Sequence, residues 1–240
     1  MSWFIHWFDS YYYHILYKNR DLKEAELLIK NLIKHLRLDS EFKIIDVGCG
    51  KGRHAIFLNK LGFDVTGIDL SKQNIATAKK EEKENLKFHI HDMRKIFKRN
   101  KFNVCLNLFT SFGYFNSYKE HQHSIHAMAE SLIPGGILII DFLNAEKIKK
   151  NIVLEEKKEI NNIIFNIKRN IINNRIEKNI QIIDNQKELE FTESVDALTL
   201  KDFSLFLKNE KLRIIEIFGN YLLEEFNEMN SERLIILAKK

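Results

Sequence analysis

Residues 43–54 read Lys43-Ile44-Ile45-Asp46-Val47-Gly48-Cys49-Gly50-Lys51-Gly52-Arg53-His54, and this stretch decides the fold. An apolar run with the look of a buried strand ends in Asp46. Gly48, Gly50 and Gly52 then follow at every second position, and a helix-compatible run begins. A glycine-rich turn from strand to helix lets a ligand approach the backbone where no Cβ intrudes, with helix N–H groups aimed at it. Asp46, two residues before the first glycine, discriminates between ligands. A carboxylate there repels a pyrophosphate and favours a cationic, amino-acid-like molecule.

Working outward, residues 43–143 alternate short apolar runs with helical segments, the pattern of a parallel α/β sheet. Strands are expected at 43–47, 64–68, 86–90, 103–108 and 137–143, with helices at 54–61, 71–84 and 118–132. Right-handed crossovers place the first strand centrally and gather ligands at the carboxyl ends of the strands. Upstream, residues 21–38 carry apolar side chains at helical spacing, so an amphipathic helix bears the aromatic N-terminus. Past Leu143 the texture changes. Asn161-Asn162, Asn173-Asn174 and Asp184-Asn185 recur between alternating segments, and these residues tolerate the left-handed backbone of tight hairpins. An antiparallel meander over 152–197 is therefore inserted into the α/β unit. Within it Glu193 continues the apolar stripe of Leu189, Phe191 and Val195, so its carboxylate requires a basic partner or a cationic acceptor. A helix at 200–209 and strands at 212–219 and 233–239 follow, with no long crossover between the two strands, so the sheet ends in a hairpin.

Composition narrows the class. The 240 residues are 45% hydrophobic and 11% aromatic, with nine glycines and one proline, enough for a sizeable core and unlike a loop-rich chain. The net charge of +5 raises a nucleic-acid reading. Interleaving such as Lys79-Lys80-Glu81-Glu82-Lys83-Glu84 reads instead as a solvated helix face. Cys49 and Cys105 supply neither a disulfide framework nor metal spacing, which suits a reducing cytosol. The aromatic N-terminus lacks the basic lead and cleavage site of a secretory signal, and no apolar run approaches bilayer length. His89 and His91 share a strand face without a third ligand nearby, and His121, His123 and His126 read as surface; no metal site is expected.

The glycine turn resembles motif I of the class I S-adenosylmethionine (SAM) methyltransferases, and the terminal hairpin is that family's, not a dehydrogenase's. The resemblance implies a Rossmann-like seven-stranded sheet with a terminal antiparallel hairpin and an inserted β-meander cap. It is read as one domain, 1–240, with 1–38 as lid and helix. It implies that Asp46, Gly48 and Gly50 cradle the cofactor, that Asp69 accepts from the ribose hydroxyls, and that Leu70 lies beside the adenine. Asp92 and Met93 match the acid that takes the adenine amino group and the residue that packs on the ring. Leu108, where the fourth strand ends, falls beside the reactive carbon. The run from Leu106 to Tyr114 lacks the two prolines of the base-amino methylating enzymes. It is similar instead to the glycine and sugar-amine N-methyltransferases. The segment His14-Ile15-Leu16-Tyr17-Lys18-Asn19-Arg20-Asp21 resembles theirs, implying that Tyr17 closes over the sulfonium and Arg20 pairs the methionine carboxylate. Tyr17 and Tyr114 then shape the acceptor side.

The function so implied is methyl transfer from SAM to a small-molecule acceptor, an amine foremost, with S-adenosylhomocysteine (SAH) as product. No membrane partner or strong nucleic-acid signal goes with it, and the protein is expected as a cytoplasmic monomer or homodimer. Asp69 alone is compatible with NAD as well as SAM. An RNA or protein methyltransferase and a SAM-binding protein without methyl transfer remain alternatives.

Overall fold

The computed structural model describes residues 3–17 and 22–240. Its main sheet contains β1 (Lys43–Val47), β2 (Asp64–Asp69), β3 (Leu86–Ile90), β4 (Phe102–Asn107), β5 (Leu132–Leu143), β10 (Arg213–Phe218) and β11 (Arg233–Lys239). Their order is β10-β11-β5-β4-β1-β2-β3. β1 pairs in parallel with β2 and β4, whereas β11 runs antiparallel to both β5 and β10. The expected parallel sheet, closed by an antiparallel hairpin, is thus present.

Alternation along the strands builds two cores. Neighbouring residues on a strand face opposite sides of the sheet, so Ile44, Ile139 and Ile235 enter one apolar cluster. Ile45, Ile140 and Ile236 enter the other. The first cluster is roofed by α3 (Leu22–Leu36), whose Ala25, Leu28, Ile29 and Leu32 repeat at three to four residues and are buried. α4 (Arg53–Lys60) and α5 (Lys72–Ala78) cover the same face. α6 (Tyr118–Ser131) and α8 (Leu200–Asn209) cover the opposite one. α5 starts as expected, with Ser71 Oγ accepting from Asn74 N at 3.0 Å. It ends earlier than expected, passing into a short 3₁₀ turn at Lys79–Glu81. The Glu82 carboxylate then takes the amide of Phe88 at 2.7 Å, a bond that pins the chain to β3 instead of continuing the helix.

The insertion follows α7 (Ala145–Lys150), which the periodicity did not reveal, and forms a separate four-stranded antiparallel sheet. Its strands are β6 (Glu155–Ile160), β7 (Ile163–Ile172), β8 (Arg175–Asp184) and β9 (Lys187–Asp196). The turns fall where the asparagines predict them. Asn161, Asn162, Asn173, Asn174 and Asn185 all take positive φ. Phe165, Ile167, Ile180 and Ile182 are buried against Trp7, Ile15 and Leu16 from α1 (Trp3–Phe8) and α2 (Tyr11–Leu16). Leu189, expected on the apolar stripe of β9, lies near the start of that strand and is 37% exposed.

Histidine 121 departs from expectation. It is fully buried in α6, among Phe112, Phe115 and Phe206. Its position is set by helical spacing with Ile125 and Met128, which share the buried face.

Candidate active site

At the carboxyl ends of β1, β2 and β4 lies a cavity of about 310 Å³, walled mainly by apolar atoms. The glycine turn forms its floor. Gly48 and Cys49 donate their amides to the Ile68 carbonyl at 2.8 and 3.0 Å, fastening the turn to the end of β2. Gly48, Gly50 and Gly52 have φ of +75°, +55° and +83°, a region that L side chains enter only with strain. Space divides them. A Cβ on Gly50 would meet nothing within 4 Å, because that glycine faces the cavity. One on Gly52 would fall 2.6 Å from the Phe88 ring.

Asp69 closes the turn from β2. Its Oδ2 accepts the Gly50 amide at 2.9 Å and its Oδ1 the Ser71 amide at 2.7 Å. Burial raises its pKa, while these two amides act in the opposite direction. Leu70, Met93 and Leu108 line the same cavity, as do Gly48, Asp92, Tyr17 and Tyr114. Asp92 is already engaged, gripped by the Arg94 Nη2 at 2.6 Å and Nε at 3.0 and 3.1 Å. Arg94 in turn reaches Glu120 at 2.5 Å. Burial alone would raise the Asp92 carboxyl, but Arg94 outweighs it and the net shift is downward.

Asp46 stands apart from the cavity lining. It is 1% exposed, beneath the turn, and its Oδ2 has no hydrogen-bond partner. Burial raises its pKa to about 7, offset only in part by Arg53. Asn107 likewise points away, donating to the Val47 carbonyl at 2.9 Å from a fully buried position. Arg20 lies outside the described residues.

The roof is aromatic. Phe8 stands edge-on to Tyr13 at 5.1 Å and to Tyr114 at 5.3 Å, and Tyr13 lies 4.9 Å from Tyr17. The Tyr17 hydroxyl donates to Glu193 at 2.6 Å and takes a bond from Lys178. Lys178 Nζ is itself 3.6 Å from Glu193, which supplies the partners that the stripe of β9 demanded. Tyr114 donates to the Thr110 carbonyl at 2.7 Å. Ser71 Oγ donates to the Asp9 carboxylate, joining the N-terminal segment to the floor.

Sequence reasoning did not single out Phe8, Tyr13, His14, Lys51, Arg53 or Phe109, all of which line the cavity. Phe8 and Tyr13 were visible only as members of an aromatic run. His14 carries a lowered pKa, from burial and then from nearby Lys51, so its imidazole is biased towards the neutral form. Among the described residues no cluster of three or more His, Cys, Asp or Glu side chains could hold a metal ion. No described helix is long and apolar enough to cross a membrane.

Comparison with known proteins identifies the family and the fold. Residues 38–217 match a family described as a methyltransferase domain. The chain is 28% identical over 133 residues to the dTDP-3-amino-3,4,6-trideoxy-alpha-D-glucopyranose N,N-dimethyltransferase of Streptomyces venezuelae, covering 55% of each protein. It is 31% identical over 122 residues to a ubiquinone biosynthesis O-methyltransferase of Rickettsia canadensis, covering 51% of each. The chain thus spans about half the length of these curated relatives. A SAM-dependent methyltransferase from Clostridium acetobutylicum shares the fold at a TM-score of 0.79 and 18% identity, over 95% of both chains. With the family match spanning most of the sequence, this chain belongs to the class I SAM-dependent methyltransferases, within the methyltransferase-domain family.

Proposed function

We propose that the protein transfers a methyl group from SAM to a small-molecule acceptor, with an amine as the preferred nucleophile. The observation that carries this reading is the pairing of Asp69 with the open face of Gly50 on one cavity floor. A ribose needs a fixed carboxylate acceptor, and an aminoacyl chain needs backbone without a Cβ; the two stand side by side here. Leu70 and Met93 offer apolar surfaces for an adenine, and Asp92 becomes an acceptor for its amino group when Arg94 gives up one of its bonds. Bound SAM supplies a sulfonium methyl for in-line displacement by the acceptor's lone pair, leaving SAH.

The residues of the chain then act chiefly by positioning and by excluding water. Leu108, at the end of β4, borders the place where the methyl is presented. Tyr17, Tyr114, Phe8 and Tyr13 wall the acceptor side, and ring faces suit a cationic centre. A neutral amine brings its own lone pair, so the site requires no strong base for it. The relative that methylates an amino sugar supports the nitrogen reading. A hydroxyl acceptor is the second reading, supported by the relative named as an O-methyltransferase and by His14, a cavity imidazole biased towards neutrality.

Thermal unfolding with SAM, SAH and NAD tests the cofactor assignment. At a hundredfold excess over Kd a ligand of the native state adds about 2.7 kcal/mol. That corresponds to a shift of about 5–10 °C for a chain of this size. A shift with both SAM ligands and none with NAD is expected. Turnover of SAM against matched panels of small amines and phenols then separates nitrogen from oxygen.

A further inference from the structure

The loop leaving β4 has a backbone that its own residues do not favour. Phe109 and Thr110 have φ of +56° and +60°. Two consecutive non-glycine residues in the left-handed region are uncommon, and a β-branched one is an outlier that its surroundings must hold in place. Both residues line the cavity, and with them Leu108 and Ser111. The loop is therefore a wall of the site.

What holds it is a buried acid on the neighbouring strand. Asp141 is fully buried in β5, one residue beyond Ile140, which pairs with Asn107 at the end of β4. Its Oδ2 accepts the Phe109 amide at 2.8 Å, and its backbone carbonyl accepts the Thr110 amide at 3.0 Å. The same carboxylate takes the Arg233 Nε at 2.7 Å and the Tyr221 hydroxyl at 3.2 Å. Arg233 closes the circuit by donating from Nη2 to Thr110 Oγ1 at 2.9 Å. Tyr221 also stacks on the Phe109 ring, with centroids 5.1 Å apart, and the Arg53 guanidinium lies 4.1 Å from that ring's centroid.

We propose that Asp141 is a positioning residue for the methyl-donor site: it holds Phe109 and Thr110 in their left-handed form and thereby sets the wall against which the donor is placed. The inference rests on the reading of the cavity given above as a SAM site. Asp141 touches no cavity ligand itself. It acts through two amides and through Arg233 and Tyr221, which arrive from the terminal hairpin on the far side of the loop. An acid in an apolar strand serving only to neutralise Arg233 would have no reason to take the Phe109 amide.

The test is calorimetric titration of SAH into wild type, Asp141→Asn, Asp141→Asn/Thr110→Gly and Tyr221→Phe, each shown to unfold cooperatively. Glycine adopts positive φ without strain, so it needs no holding. Asp141→Asn is expected to weaken SAH binding at least tenfold, and Thr110→Gly in that background to recover several-fold of the loss. Tyr221→Phe keeps the ring stack and is expected to weaken binding about threefold; it carries the test if Asp141→Asn does not fold. A folded Asp141→Asn, or in its place Tyr221→Phe, that binds SAH as wild type does overturns the inference, as does a Thr110→Gly companion that restores nothing. Wild type that takes up no SAH overturns the reading of the cavity, and this inference with it; wild-type binding with unchanged variants overturns the inference alone.

Discussion

The indole N–H of Trp7 donates to the carboxylate of Glu193 at 2.6 Å, a bond that spans 186 residues of chain. Tyr17 meets the same carboxylate at 2.6 and 2.8 Å. One acid on β9 therefore fastens α1 and the end of α2 to the inserted sheet. The cavity roof is thus held to the cap through Glu193, and to the floor through the Ser71–Asp9 bond.

That dependence makes the roof separable from the fold. Glu193→Ala leaves the Trp7 and Tyr17 donors without their acceptor, a loss of about 1.5–3 kcal/mol for bonds to a charged group. Faster hydrogen exchange confined to residues 3–17, with the rest of the chain unchanged, is the expected outcome. Deleting residues 1–17 should leave the main sheet folded, uncover the apolar face of the inserted sheet and abolish turnover. Full turnover by the truncated protein would show that the aromatics only pack.

Asp69→Ala should weaken SAH binding by about 1.5–3 kcal/mol, the range for a hydrogen bond to a charged acceptor. Calorimetry reads this as a tenfold to hundredfold rise in Kd. Unchanged affinity would remove Asp69 from the cofactor site.

The glycines of the turn should divide by function. Gly52→Ala forces a Cβ to within 2.6 Å of Phe88 at a φ of +83°, so it should lower the unfolding temperature sharply. Gly50→Ala meets open space and costs only the backbone term, about 1–2 kcal/mol. It should fold and bind SAH poorly, because its methyl enters the cavity. Equal melting temperatures for the two variants would contradict this division.

His121 should make the fold sensitive to acid. Burial is the main cause of its pKa falling to about 4, against an ordinary value of 6.5. Between those two values the unfolded chain binds a proton that the folded chain refuses, so stability falls as pH drops through that window. At pH 5 the loss from this residue is about 2 kcal/mol. Urea unfolding of His121→Leu at pH 7.5 and pH 5 should show that much less loss than wild type. Parallel losses in the two proteins would place the acid sensitivity elsewhere, for instance at His54, which burial holds at about 3.

Much of this architecture is legible in the chain because it rests on local rules. The strand-to-helix glycines, the Ser71 cap and the asparagine hairpins each need only neighbouring residues to be understood. What escapes are features made by distant partners. Asp141 interrupts an apolar run and Arg233 opens another, and each was a visible anomaly, yet nothing local says that they meet. His121 was misplaced by its polarity, although its spacing to Ile125 and Met128 already put it on the inner face. Arg94 lies two residues from Asp92 and could have been read as its clamp. Asp46 shows the limit from the other side, since its motif position is plain but its burial beneath the turn depends on the strands around it.

The outermost strand of the cap, β6, reads Glu155-Glu156-Lys157-Lys158-Glu159-Ile160. A bare sheet edge is a template on which a stray strand can grow, and alternating charge along it discourages such pairing. At the opposite edge β9 exposes Lys187, Glu188 and Glu190, while Trp7 packs on the sheet's apolar face beside Phe191, with ring centroids 4.7 Å apart. Both borders of the cap are thus lined with charge. A cap built this way can lie under the cavity's lid and still offer a stray strand a poor template.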